Sequence, residues 1–344
     1  MKKRTIVLAL VLVLIMGALS ACAGPKNSGD DYGKDGPIAQ EHDSTPINIM
    51  ALKGPTAMGM VQMMDAMDNE GLDGHEYTFT LAGAPDEVAP AIVQGTVDFA
   101  AVPANLASVL YNKTEGGVQV LAVNTLGVLY IVERGENINS VADLAGKTIY
   151  ASGKGATPEY ALNYLLTENG LEPGKDVTIE WKSEHAECLS ALLADENAIA
   201  MLPQPFVTTA VTKAEGLRAA LDLTEEWEAV QSGEASPSRM ITGVLIARKA
   251  FVDEHPEAVD DFLRHYKESV EFTNGEVDAA AALIGAYDIV PDAVAKLAIP
   301  ECNIVYIDGS EMKDALSGYL SVLYAQDPAS VGGALPEDGF YYVK

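Results

Sequence analysis

The sequence predicts an α/β protein of two lobes, each built on a mostly parallel sheet flanked by helices. Three observations lead there. From Ile47 onward, short β-type runs alternate with stretches of helical periodicity, the pattern of strands joined through covering helices. The stretch "ALKGPTAMGM", which starts at Ala51, has a counterpart about one hundred residues later in "ASGKGATPEY", again with Lys-Gly in the turn and Thr ahead of a helix. One residue off the spacing of those Lys and Thr residues, a displacement of one hundred lays "EVAPAIVQGTVDFAAVPANLASVLYNKTEG" on "ECLSALLADENAIAMLPQPFVTTAVTKAEG" without a gap. Glu87, Ala91, Ala100, Pro103, Lys113, Glu115 and Gly116 each meet an identical residue there. The folded part, 46–344, is also longer than one core usually serves.

The elements follow in chain order. Residues 1–22 combine a positive start (Lys2, Lys3, Arg4), an apolar middle and small closing residues, and so read as a targeting segment outside the fold. Leu19-Ser20-Ala21-Cys22 has the form of a lipobox, which makes Cys22 the lipidated first residue of the mature chain. The apolar middle is shorter than the ~20 residues a spanning helix needs. Residues 23–45 are rich in Gly, Asp, Lys, Ser and Pro without apolar periodicity, and read as a flexible tether.

Strands are expected at 47–52, 77–82, 97–102, 118–123, 148–151, 177–181 and 198–202. Helices are expected at 58–67, 87–94, 105–113, 159–168, 186–193 and 206–214. Met60, Met63, Met64 and Met67 recur at helical spacing as a core stripe, while Met58 stands open between core and ligand. Further on, Pro256 opens a helix behind a cap at Asp253 or His255.

Charge narrows the function. The formal balance is −28, and removal of the targeting segment leaves 19 basic against 50 acidic residues. Such a surface repels nucleic acid and anionic lipid. A lysine placed in a glycine-rich turn is therefore informative. Lys53 to Thr56 and Pro103 to Asn105 in the first lobe match Lys154 to Thr157 and Pro203 to Pro205 in the second. In a parallel α/β sheet such strand-to-helix turns share one edge. There the first helical N–H groups lack internal partners and the helix dipole is positive, which suits an anion or polar acceptor. Thr56 and Thr157 are expected as N-caps with Pro158 in the first turn, and Asn105 as the cap after Pro103. Gly54, Gly153 and Gly155 permit close backbone approach.

Catalysis finds little support. His42, His75, His185, His255 and His265 are scattered without metal-ligand spacing, and no Gly-x-Ser-x-Gly elbow precedes a helix. The Gly-Lys-Gly turn lacks the Lys-Ser/Thr closure of a phosphate-binding loop. No enzyme activity, cofactor or metal is expected. Cys188 and Cys302 lie in apolar contexts and read as buried free thiols.

Several stretches together carry a resemblance: the lipobox at Cys22, "LKGPTAMG", "GTVDFAAVPANLAS", "DLAGKTIYASGKGATPEYALNYLLTENGL", "PQPFVTTA" and "ARKAFVDEHPEAVDDFLRHYKESVEF". The chain resembles the substrate-binding lipoproteins of ABC importers grouped with nitrate, sulfonate and taurine binders and with thiamine-pyrimidine-synthase-like proteins. The resemblance implies a two-lobed Venus-flytrap of the type 2 periplasmic binding protein class. Lobe one would be 46–127 with 242–344 and lobe two 128–241, with the outward crossing near Gly127 and the return near Thr242. It also implies a monomer, lipid-anchored on the extracytoplasmic face, that closes on a small ligand and passes it to the importer's permease and ATPase subunits. By position in the matching motifs, the ligand-binding residues are Lys53, Gly54, Pro55, Thr56, Ala57, Gly155, Ala156, Thr157 and Gln204, with Asn105 and Thr125 behind them. Two lysines and the helix starts favour an anionic head. A pyrimidine ring would call for stacking aromatics, of which only Tyr160, Phe206 and Tyr130 lie near the turns. The pyrimidine-synthase activity needs a Cys-rich iron site that this sequence lacks. A surface sensor would use the same fold and pocket.

Overall fold

β-Branched and small apolar residues at alternate positions make Pro46–Leu52 (β1) a strand that turns Ile47, Ile49 and Ala51 into the core. In the computed structural model, residues 45–69, 71–72, 74–234 and 237–344 are described. The targeting segment, Cys22 and the tether up to residue 44 lie outside them.

The chain continues through α1 (Pro55–Met58), α2 (Val61–Asn69), β2 (Glu76–Ala82), α3 (Pro85–Gln94), β3 (Phe99–Pro103), α4 (Ala104–Lys113) and β4 (Val118–Leu126). It then passes into β5 (Leu129–Arg134), β6 (Thr148–Ser152), α5 (Thr157–Glu168), β7 (Thr178–Lys182), α6 (His185–Ala194), β8 (Ile199–Pro203), α7 (Phe206–Lys213), β9 (Leu217–Asp222) and α8 (Leu223–Gln231). It finishes through β10 (Ile241–Arg248), α9 (Lys249–Glu254), α10 (Pro256–Gly275), α11 (Val277–Ala286), α12 (Asp292–Ala298), β11 (Ile304–Ile307) and α13 (Gly309–Gln326).

Two mixed sheets result. The six-stranded sheet has the order β11-β4-β10-β3-β1-β2 and the five-stranded sheet the order β7-β6-β8-β5-β9. In the first, β1 to β4 run one way and β10 and β11 the other; in the second, only β5 is reversed. The expected parallel direction therefore predominates. β5 and β10 are the first strands after the two sheet changes, and each runs against both of its neighbours. β4 extends three residues past its expected end and so includes Thr125.

The chain changes sheets at Gly127-Val128 and again before Ile241. At the first change Asn303 Nδ2 donates to the Gly127 carbonyl at 2.6 Å. A side chain at Gly127 would collide with Thr224 and Met240, so glycine is required by close packing.

One face of the six-stranded sheet packs Leu121 and Leu245 with Phe251, Phe262 and Tyr266. Phe99 stacks on Phe262 with centroids 4.4 Å apart. The methionine stripe belongs to this core. Met58 does too: it is fully buried, with its Sδ 4.0 Å from Cys302 Sγ. Both described cysteines are buried free thiols. A second core runs without a break from Val120 and Val244 of one sheet to Ile131 and Ile149 of the other, through Trp227 and the buried face of α13. Two buried carboxylates anchor the sheets by hydrogen-bonded ion pairs: Asp98 with Arg248 at 2.5 Å, and Glu133 with Arg218 at 2.8 Å.

Candidate functional site

The turn after β1 depends on Gly54, whose φ of 124° suits glycine. The amides of Ala57 and Met58 donate to its carbonyl at 3.0 and 3.1 Å. Thr56 is not the N-cap: it lies inside α1 and donates through Oγ1 to Leu52 O at 2.8 Å. Pro55 opens the helix half-buried, and Ala57 is fully buried. Lys53 reaches toward the turn between α11 and α12, its Nζ 2.8 Å from Asp288 O and 3.1 Å from Asp288 Oδ2.

The matching turn after β6 uses Gly153 and Gly155, both at positive φ. Here too the expected cap is corrected, because Ala156 holds the N-cap position and Thr157 is the first helical residue. Gly155 N–H donates to Glu159 Oε2 at 2.6 Å, so a carboxylate of the chain already sits on this helix start. Lys154 is exposed. Asn105 does not cap α4 either; Pro103 holds that position, and Asn105 Nδ2 donates to Ser330 O at 3.3 Å.

Thr157 and Asn105 nevertheless meet. Thr157 Oγ1 donates to Asn105 Oδ1 at 3.2 Å, joining the first turn of a helix from the five-stranded sheet to that of one from the six-stranded sheet. Thr157 is 1% exposed and Asn105 5%, so this bond is shielded from water. Thr125, also buried, donates to Asn124 Oδ1 at 3.1 Å. Gly243 of β10 lets Thr56 approach the same place: an added Cβ would lie 2.6 Å from both Asn124 Oδ1 and Thr56 Cγ2. Gln204 is buried; its Oε1 accepts from Thr208 N–H and Oγ1, which leaves the amide NH₂ as its donor.

Thus Thr56, Asn124, Thr125 and Gly243 form one group and Asn105, Thr157 and Ser330 another. Lys53, Gly155 and Gln204 stand at neighbouring strand-to-helix turns without a direct bond to either. Two surface hollows, of about 390 and 380 Å³, share none of these residues.

Sequence reasoning missed Ser152 and His185. Ser152 ends β6 and His185 starts α6, so both fall on the edge that carries Gly155 and Gln204, and their side chains meet at 2.5 Å (Oγ to Nδ1). The Phe206 ring lies 5.5 Å from the imidazole. The available signal was positional, a Ser at a strand end and a His at a helix start; read as scattered singletons, the histidines did not show it. Burial pushes the His185 pKa down to about 4 from 6.5, so the ring is neutral at pH 7 and offers hydrogen bonding, not charge.

Because the unfolded chain binds this proton more readily, folding stability is intact above pH 6.5. It is expected to fall as the pH drops from 6.5 toward 4, by up to about 3 kcal/mol from this group. Urea unfolding at stepped pH should show a shallower decline in His185→Gln than in the parent.

With this geometry in place, likeness to known proteins becomes informative. Residues 56–296 match the family model described as the ABC transporter, phosphonate, periplasmic substrate-binding protein. A binding protein of Brucella abortus (strain 2308) is 25% identical over 233 residues, 67% of this chain and 67% of that protein. Two crystal structures share the fold. An ABC transporter protein from Parabacteroides distasonis is 22% identical with a TM-score of 0.73, covering 88% of this chain and 100% of that one. The periplasmic aliphatic sulphonate binding protein SsuA from Escherichia coli is 14% identical with a TM-score of 0.68, covering 86% and 92%. Among the described residues no helix is long and apolar enough to cross a membrane. The family model spans most of the chain, including the turns after β3, β6 and β8, and the chain therefore belongs to this family of periplasmic substrate-binding proteins of ABC transporters.

Proposed function

We propose that the chain captures a small organic solute with an anionic head between two lobes and delivers it to an ABC importer. The lobes are 46–127 with 242–344, and 128–241, and they close about the crossings at Gly127 and Thr242. The observation that carries this reading is the Thr157–Asn105 bond, because it brings together the helix-start edges of two different sheets. A solute held there touches both lobes, so its contacts stabilise the closed form that the importer subunits recognise.

An anionic head is supported by the exposed Lys154 and, once it displaces the Asp288 and Glu159 carboxylates that now hold them, by Lys53 and the Gly155 N–H at the start of α5. The phosphonate in the family description and the sulphonate in the Escherichia coli protein's name point the same way. Binding asks for no covalent chemistry, cofactor or metal. Cys22 carries the lipid that keeps the monomer at the extracytoplasmic face of the membrane.

The test is a thermal-shift series on the full chain in detergent, refolded to strip carried solute. The panel is phosphonates, sulfonates, sulfate, nitrate, bicarbonate, carboxylates and thiamine precursors. A solute at ~1,000 times its Kd adds about 4 kcal/mol. A large shift with one anionic class, weakened in Thr157→Ala, is expected. A shift confined to thiamine precursors would replace the anionic reading, and no shift with any compound would refute it.

A further inference from the structure

Where α4, α5 and α13 meet, four polar side chains hold more hydrogen-bonding capacity than they use. Ser330 O requires a donor, which fixes Asn105 with Nδ2 toward Ser330 and Oδ1 toward Thr157. Thr157 spends its one proton on Asn105 Oδ1 and keeps its lone pairs. Beside it, the Tyr319 hydroxyl from α13 is fully buried; its polar neighbour is Thr157, and the contact between them falls short of hydrogen-bond geometry. The Ser330 hydroxyl, 1% exposed, has no hydrogen-bond partner. Buried hydroxyls are ordinarily paired, so two orphans next to one cross-sheet bond need an explanation.

None of the four residues is charged. Together they offer spare donors from Tyr319 and Ser330 and spare acceptor capacity on Thr157 and Asn105 Oδ1. The set is suited to a group that accepts and donates at once.

We infer that Asn105, Thr157, Tyr319 and Ser330 form an uncharged subsite that takes a hydroxyl or carboxamide of the solute, next to its anionic head. The inference rests on the two-lobe solute reading above. The solute group accepts from Tyr319 and donates to Asn105 Oδ1 in place of the Thr157 proton, which turns to a neighbouring acceptor. A second anionic group is rejected, because the Ser330 carbonyl and Asn105 Oδ1 both present negative dipole ends there. An analogue lacking the hydroxyl leaves buried donors unpaired, and this is the situation in which polar sites discriminate most sharply.

The experiment is calorimetric titration of the full chain with two matched pairs: ethylphosphonate against 2-hydroxyethylphosphonate, and ethanesulfonate against 2-hydroxyethanesulfonate. Tyr319→Phe and Ser330→Ala are measured alongside, with the melting temperature of each unliganded protein. The hydroxylated member of the pair that binds is expected to bind about tenfold more tightly. That preference is expected to fall to about unity in Tyr319→Phe, with an unchanged or higher melting temperature because an unpaired hydroxyl has been removed. Ser330→Ala, which leaves α13 untouched, should reduce the preference in the same direction and decides the matter should Tyr319→Phe fold poorly. Equal affinities for both members in the parent, or a preference that survives in both variants, would overturn the subsite while leaving the solute reading in place. If neither member of either pair binds, the phosphonate-or-sulfonate reading falls and the subsite falls with it.

Discussion

Trp227→Ala is expected to cost about 4 kcal/mol of folding stability, the range for emptying a large buried aromatic site. If 46–344 unfolds as one unit, that lowers the melting temperature by roughly 6 °C. Trp227 is fully buried in α8, with its ring 4.5 Å from Tyr164 of α5 and 5.5 Å from Tyr319 of α13. Its Nε1 donates to Ser238 O at 3.2 Å and to Ser238 Oγ at 3.1 Å. The indole therefore fills the space where a helix leaving the six-stranded sheet packs on two helices of the five-stranded one. Trp227→Phe keeps most of the contact and loses the hydrogen bonds, so it should cost about 1–2 kcal/mol. Urea denaturation of the two variants checks the order. Equal losses would mean that the Ser238 bonds, not the packed volume, dominate. Because Tyr319 backs Thr157, the alanine variant should also weaken solute binding.

Arg248→Met should destabilise the protein by about 3–5 kcal/mol, since it leaves a buried carboxylate without its cation. Asp98 is 6% exposed; it accepts Arg248 Nη2 on Oδ1 at 2.5 Å and the Asn48 amide on Oδ2 at 2.9 Å. The pair ties the start of β3 to the end of β10, two strands adjacent in the sheet. Removing the charge as well, in Asp98→Asn/Arg248→Met, should recover part of the loss. A double variant no more stable than Arg248→Met would show that the lost contacts of the guanidinium, including Nε to Val97 O, matter more than the stranded charge.

The sequence made the strand-helix alternation readable because it is written in local periodicity. The expected strands from Ile47 to Leu202 correspond closely to β1–β4 and β6–β8. β5 and β10 lie in the stretches expected only as crossings between the lobes, and β9 and β11 were not expected at all. β9 is a six-residue edge strand, and β11 is four residues with an irregular register against β4, so neither carries a long pattern. The caps failed for a definite reason. A threonine in a strand-to-helix turn can cap the helix or point onward, and here Thr56 bonds back to Leu52 while Thr157 bonds across to Asn105. That choice is tertiary.

The same holds for Lys53, whose partner Asp288 lies 235 residues away, and for the Ser152–His185 pair, separated by 33 residues. Asn105, ranked behind the lysine turns from sequence, stands at the centre of the cross-sheet contact. Tyr319 and Ser330 carried no motif; only the packing of α13 and the 3₁₀ turn Pro328–Val331 places them beside it.

The central claim is that one solute is held jointly by the helix-start edges of both sheets. The measurement that tests it most directly is calorimetric titration of the solute giving the largest thermal shift into the parent, Asn105→Ala, Thr157→Ala and the double variant. Each single change should weaken binding about tenfold or more, and the double variant should lose less than the two losses added, because the two side chains share one bond. Parental affinity in both single variants would contradict the claim and place the solute elsewhere on the molecule.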